Sequence, residues 1–128
     1  MDDLLRLSAR TCGYGVVVVE LIGEIDIATA PSLGAALNGI RIPSPPSGLL
    51  VLLDLSRLDF CDVAGLREMV VAGRRLAERG ARLALVAPRR RFMRLLEAAK
   101  LGGYFEVFPS LLAAEASPTA GPVRCGAA

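Results

Sequence analysis

Residues Leu49 to Arg79 read LLVLLDLSRLDFCDVAGLREMVVAGRRLAER. The segment opens with an apolar run, Leu49 to Leu53, crosses a polar link from Asp54 to Asp62, and then takes up helical spacing. A short buried strand feeding a helix is the plainest reading. At about 100° per residue, Leu66, Met69, Val70, Gly73, Leu76 and Ala77 share one side of that helix. Arg67, Glu68, Arg74, Arg75 and Glu78 fall away from it, and Ala64 and Val71 lie among those charges. An apolar strip edged by charge on a surface helix is a docking pattern for another protein. Single exposed Ala and Val residues are also ordinary surface, so the pattern alone leaves both readings open. The junction Phe60-Cys61-Asp62-Val63-Ala64-Gly65 is the place to look for function.

A chain of 128 residues is the size of one domain. With 53% hydrophobic and 22% charged residues it can build a core, and it is too apolar for a disordered chain. A net charge of +2 and an aromatic fraction of 5% suggest neither a general attraction to nucleic acid nor a base-stacking surface. There is no histidine. That removes the commonest general base, the Ser-His and Cys-His nucleophile pairs and the commonest metal ligand. Cys12, Cys61 and Cys125 are far apart and form no CxxC or zinc spacing. No metal, no cofactor and no enzymatic activity are expected. The N-terminus, MDDLLRLSAR, lacks a signal core, and no apolar run approaches the ~18–20 residues that span a bilayer. A cytoplasmic protein without membrane insertion is expected, as a monomer or weak dimer.

Leu4 to Arg10 alternates and reads as an edge strand, followed by a turn at Thr11 to Gly15. Val16 to Ile22 is β-branched and nearly all apolar, the pattern of a central strand buried on both faces. Thr29 is a candidate N-cap for a helix with Pro31 in its first turn and Leu33, Ala36, Leu37 and Ile40 on its inner face. Ile42 to Gly48 is a proline-rich loop. Gly80 ends the helix of the opening segment. Arg82 to Ala87 is a further strand. Pro88 to about Lys100 is a helix with Phe92, Leu95, Leu96 and Ala99 inward, ended by Gly102-Gly103. Phe105 to Phe108 is a last strand, and Ser110 caps a terminal helix to Ala116. Residues 117–128 are rich in Pro, Gly and Ala and are expected to be disordered, leaving residues 1–116 as the domain. The order ββαβαβαβα predicts an α/β fold with a mixed, mostly parallel sheet and an antiparallel edge strand.

That order, with two words in the chain, resembles the STAS domain (sulfate transporter and anti-sigma factor antagonist). Gly23 to Ala30, GEIDIATA, is similar to the family's GELDLATA. Leu52-Leu53-Asp54-Leu55, followed by Leu58 to Leu66, is similar to the family's strand and its DSSGL helix start. The resemblance spans roughly Leu4 to Ala116. It implies a bacterial anti-sigma factor antagonist that binds an anti-sigma factor, usually a serine kinase, and so frees a sigma factor for transcription. In the family the kinase phosphorylates the second serine of DSSG. Here Val63 and Ala64 replace both serines, and Ala64, aligned with the phosphoacceptor, has no hydroxyl to receive a phosphate. The antagonist would then be permanently active, be controlled by other chemistry, or serve a different complex. The alternatives the resemblance leaves open are a subunit of a lipid-transport ABC complex and a small-ligand or nucleotide sensor.

The partner surface implied by this alignment comprises Asp26, Thr29, Ser32, Asp62, Val63, Ala64, Gly65, Arg67 and Val71. Asp62 also reads as an N-cap and Asp26 as a turn-stabilising acid. Cys61 is the candidate for redox control, against a reading as a small buried apolar residue. Arg89, Arg90 and Arg91, with Arg94, form a candidate anion site at a helix start, against a reading as a solvated basic face. Asp54 and Asp62 lack the partners that paired carboxylates need for acid–base catalysis.

Overall fold

The computed structural model describes residues 5–11, 15–41 and 48–116. The strands are β1 (Leu5–Thr11), β2 (Val16–Ile25), β3 (Leu50–Cys61), β4 (Arg82–Val86) and β5 (Glu106–Phe108). The helices are α1 (Ala30–Asn38), α2 (Val63–Glu78), α3 (Arg90–Ala98) and α4 (Leu111–Glu115). The sheet runs in the order β1-β2-β3-β4-β5, with β1 antiparallel to β2 and every other neighbour parallel. The expected element order and the antiparallel edge strand are both present. Cys12, Cys125, the residues 42–47 of the proline-rich loop and the expected tail 117–128 lie outside the described residues.

Because the parallel strands follow one another in chain order, crossovers of one hand deliver α1, α2 and α3 to the same face. Side chains alternate across the central strands accordingly. Val17, Val19, Val51, Leu53 and Leu85 join Leu33, Leu37, Leu66, Met69, Leu76, Phe92 and Leu96 in the main core. Val16, Val18, Leu50, Leu52, Ala84 and Val86 face the other way, with Ala114 of α4. Each fully buried Leu or Met contributes about 1.5–3 kcal/mol relative to exposure.

The polar link expected at Asp54 to Asp62 is strand as far as Cys61. Glu20 pairs with Asp54 but Ile22 with Arg57, and Gly23 pairs with Leu58 but Glu24 with Phe60. At each shift β3 carries one extra residue, a β-bulge, and each bulge reverses the alternation. Leu55, Leu58 and Cys61 therefore all reach the main core at a spacing of three. A period of three matches neither the strand nor the helix template, so the pattern hid the strand.

Three helical faces differ in detail from the expected ones. Ala36, Ala77 and Ala99 are exposed, whereas Gly34, Gly65 and Ala72 are buried. The substitutes are small because the backbones come close. A methyl group on Gly34 would lie 2.0 Å from Glu68 Oε1, and one on Gly65 would lie 2.5 Å from Ile25 Cγ2. Gly80, at φ +83°, follows α2 as expected, with Ala81 N–H donating to Leu76 O at 2.8 Å and Gly80 N–H to Ala77 O at 3.1 Å. The helix α3 closes in the same way at Lys100, with φ +62°, rather than at Gly102-Gly103. Arg79 ties the ends of α1 and α2 together, donating to Asn38 O and Ile40 O at the C-terminus of α1.

The helical glycines Gly34 and Gly65 separate experimentally. The atom facing Gly34 is the end of a flexible carboxylate, so Gly34→Ala should change stability by less than about 1 kcal/mol. Gly65 faces a β-branched side chain and a sulfur, so Gly65→Ala should cost about 1–3 kcal/mol in urea denaturation.

Candidate functional site

The C-terminal ends of β2 and β3 lie side by side, with Ile25 opposite Cys61. Asp62 N–H donates to Ile25 O at 3.1 Å and fastens the two following loops to each other. The loop after β2 is held by Asp26. Its carboxylate accepts from Ala28 N–H and Thr29 N–H, both at 3.0 Å, and its carbonyl accepts from Ala30 N–H at 2.8 Å. Thr29 occupies the N-cap position of α1, but its side chain does not cap that helix. The hydroxyl instead turns back, accepting from Asp26 N–H at 2.8 Å with the Asp26 carboxylate 3.1 Å away. Asp26 and Thr29 thus lock each other, and the turn they build pushes Ile27 out to 80% exposure.

The loop after β3 is organised by Asp62, whose carboxylate accepts from Gly65 N–H at 3.1 Å and caps α2. Val63, the first residue of the helix, is 57% exposed, and Phe60 on the preceding bulge is 39% exposed. Ile27, Phe60 and Val63 make this end of the sheet an apolar tip. Exposed apolar side chains are ordinary when scattered and informative when they gather at one end of a fold. Phe60 stood in the junction singled out from sequence. The exposure of Ile27 carried no periodic signal, because it follows from the Asp26–Thr29 turn.

The expected partner-surface residues do not all lie outward. Asp26, Asp62 and Val63 come together at the tip, and Ser32 and Arg67 are exposed. Ala64 and Val71, placed among the charges by the helical wheel, are half-buried, and Ala64 packs against the main core. Gly65 is buried and serves the close approach of α2 to the sheet rather than a partner. Cys61 is half-buried, with its sulfur 3.4 Å from Asp62 O. Burial first, and the neighbouring Asp62 charge second, push its thiol from 9.0 up to about 12. Thiolate is then scarce near neutrality, which argues against the redox role and for the packing role.

Arg89 is committed elsewhere. Its guanidinium donates to Ser56 O at 3.0 Å and to Asp59 Oδ1 at 2.8 Å, bracing α3 against the bulged end of β3. Arg90 and Arg91 are exposed. Asp54 accepts from Ser56 N–H at 3.0 Å, so each member of the Asp54/Asp62 pair serves its own backbone. Among the described residues no group of His, Cys, Asp and Glu could hold a metal ion, and no helix is long and apolar enough to cross a membrane.

The sequence matches the family model of the STAS domain over residues 10–114. The chain belongs to the STAS domain family. No curated protein matches it in sequence. Among solved structures, an anti-sigma factor antagonist from Mycobacterium paratuberculosis is similar, with 26% identity, a TM-score of 0.69, and coverage of 84% of this chain and 87% of that one. A sulfate transporter family protein from Wolinella succinogenes has 20% identity and a TM-score of 0.67, covering 82% of this chain and 85% of that one. The phosphorylated form of the Bacillus cell fate determinant SpoIIAA has 20% identity and a TM-score of 0.60, covering 80% of this chain and 90% of that one. At such identity the last two speak for the fold alone. The STAS words GEIDIATA and DVAG are the two loops that meet at the apolar tip.

Two measurements probe this geometry. The folded-state thiol of Cys61 titrates above the unfolded one. Its neutral form therefore contributes stability that is complete below about pH 9 and is lost as the pH rises toward about 12. In a Cys12→Ser, Cys125→Ser background, the fall in urea stability above pH 9 should shrink when Cys61→Ala is added. Asp62→Ala should cost about 0.5–2 kcal/mol through the lost cap.

Proposed function

We propose that this STAS domain is an anti-sigma factor antagonist that acts by binding, not by catalysis. Its partner would be an anti-sigma factor of the serine-kinase type, and its capture would release a sigma factor for transcription. The observation that carries the reading is the apolar tip. Ile27 is held outward by the Asp26–Thr29 turn and Val63 by the Asp62-capped start of α2, at the two places where the sequence resembles the antagonist words. Rigid loops lose little entropy on binding, and a small apolar centre ringed by polar groups is the usual anatomy of a protein interface. The similarity to the Mycobacterium paratuberculosis antagonist supports the same reading.

The chemistry at the tip bears on control. Val63 and Ala64 offer no hydroxyl where the family places its phosphoacceptor. A phosphate there would bring close to two negative charges to the helix start. Without it, ATP and an active kinase leave positions 63 and 64 unmodified. Binding would then be set by the amounts of the two proteins.

Purified anti-sigma factor kinase domains, titrated calorimetrically with the full chain, test the proposal. At least one should bind at micromolar concentration or tighter, and the complex should persist when Mg-ATP is added. Ile27→Asp or Val63→Asp should weaken binding by more than about 1 kcal/mol with the melting temperature unchanged. No binding by any such domain, or dissolution of the complex by ATP, would contradict it.

A further inference from the structure

The acids and bases around the tip are in different states. Asp26 is spent on its own turn, Asp62 on the cap of α2, and Asp59 on Arg89. By contrast Arg90, Arg91 and Arg94 are exposed, and among the described residues none has a carboxylate within ion-pair reach. The position of Arg91 is continuous with the tip. Arg91 lines one narrow crevice together with Phe60, Cys61 and Asp59. Strand β4 ends at Val86, opposite Asp54, and Arg89 bonds Ser56 and Asp59, so the start of α3 stands beside the bulged end of β3 that leads to α2.

Arg90 and Arg91 gain nothing from their own helix, whereas Arg94 has Glu97 three residues on. The first turn of α3 contains no acid, and cations there oppose the positive end of the helix dipole. Arg90 and Arg94, four apart, repel each other as well. Local stability alone would favour glutamate at positions 90 and 91. We propose that Arg90, Arg91 and Arg94 form the second half of the docking surface and take an acidic strip on the protein partner that covers Ile27, Phe60 and Val63. This rests on the reading of the tip as a protein-docking site and adds the chemistry of the partner: carboxylates beside an apolar patch. The exposed Phe60 next to Arg91 favours a protein over a nucleic acid, since an apolar centre with a charged rim matches protein surfaces. Complementary charge would also steer the encounter and make it sensitive to salt.

The test uses the full chain, labelled for amide NMR, and a short amphipathic peptide with leucine on one face and glutamate on the other. A lysine-for-glutamate version of the peptide and a DNA duplex are the comparison probes. The acidic peptide should shift the amide signals of Phe60 to Val63 and of Arg90 to Arg94 together, and the lysine peptide should not. The double variant Arg90→Glu, Arg91→Glu should weaken peptide binding roughly tenfold or more and flatten its salt dependence. Its melting temperature should hold or rise, which separates a lost contact from a damaged fold. Arg74→Glu, Arg75→Glu, on the far part of α2, should leave binding unchanged.

Shifts confined to Phe60 to Val63, with no effect of the Arg90 and Arg91 reversals, would overturn the acidic strip while leaving the docking tip standing. Equal losses from the Arg74 and Arg75 reversals, or tighter binding of DNA than of the peptide at Arg90 to Arg94, would also overturn it. Absence of shifts at both segments would remove the tip and the strip together. If the peptide binds as stated but no anti-sigma factor domain does, the strip stands and the identity of the partner fails.

Discussion

The first turn of α2 lies so close to the sheet that only a glycine fits at position 65. A methyl group there would meet Ile25 Cγ2 at 2.5 Å, Cys61 Sγ at 2.9 Å and Ile25 Cβ at 3.1 Å. That contact sets the rest. It fixes the helix start over the ends of β2 and β3, keeps Cys61 inward, and leaves Val63 outside and Ala64 on the flank. The Asp62 cap and the Asp62 N–H to Ile25 O bond act on the same few atoms. The tip is therefore shaped by close packing beneath it, and its exposed face is free of structural duty.

The two bulges in β3 belong to the same design. Each turns the strand by one residue, so that Leu58 and Cys61 face the core while Phe60 faces out. Bulges commonly re-aim side chains at working ends of sheets. Arg89 then ties the bulged strand to α3 through Ser56 O and Asp59. The ion pair is exposed and worth little in stability, but it sets where the neighbouring arginines stand.

Much of this was legible in the sequence. Val16 to Val19 and Leu49 to Leu53 announced central strands because sheets buried on both faces need unbroken apolar runs. The caps at Asp62 and Ser110 and the stop at Gly80 were readable because each depends on local chemistry. What escaped depends on tertiary contact. The strand from Asp54 to Cys61 was hidden by its bulges. Gly34 and Gly65 looked like weak points in helices and prove to be contact points, and alanines with no strong preference for inside or outside went to the wrong face at 36, 77 and 99. At the tip, residue types fixed which loops matter, but not that Thr29 would bond backwards to Asp26 or that Gly65 and part of Ala64 would be covered.

The central claim is that the loops following β2 and β3 are the surface another protein rests on. Hydrogen–deuterium exchange on the chain, alone and saturated with an anti-sigma factor domain, tests it most directly. The account predicts added protection over Glu24 to Thr29 and Phe60 to Arg67, with the remainder of the sheet unchanged. Protection confined to β1 and the far end of α1, with those two loops exchanging as freely as before, would contradict it.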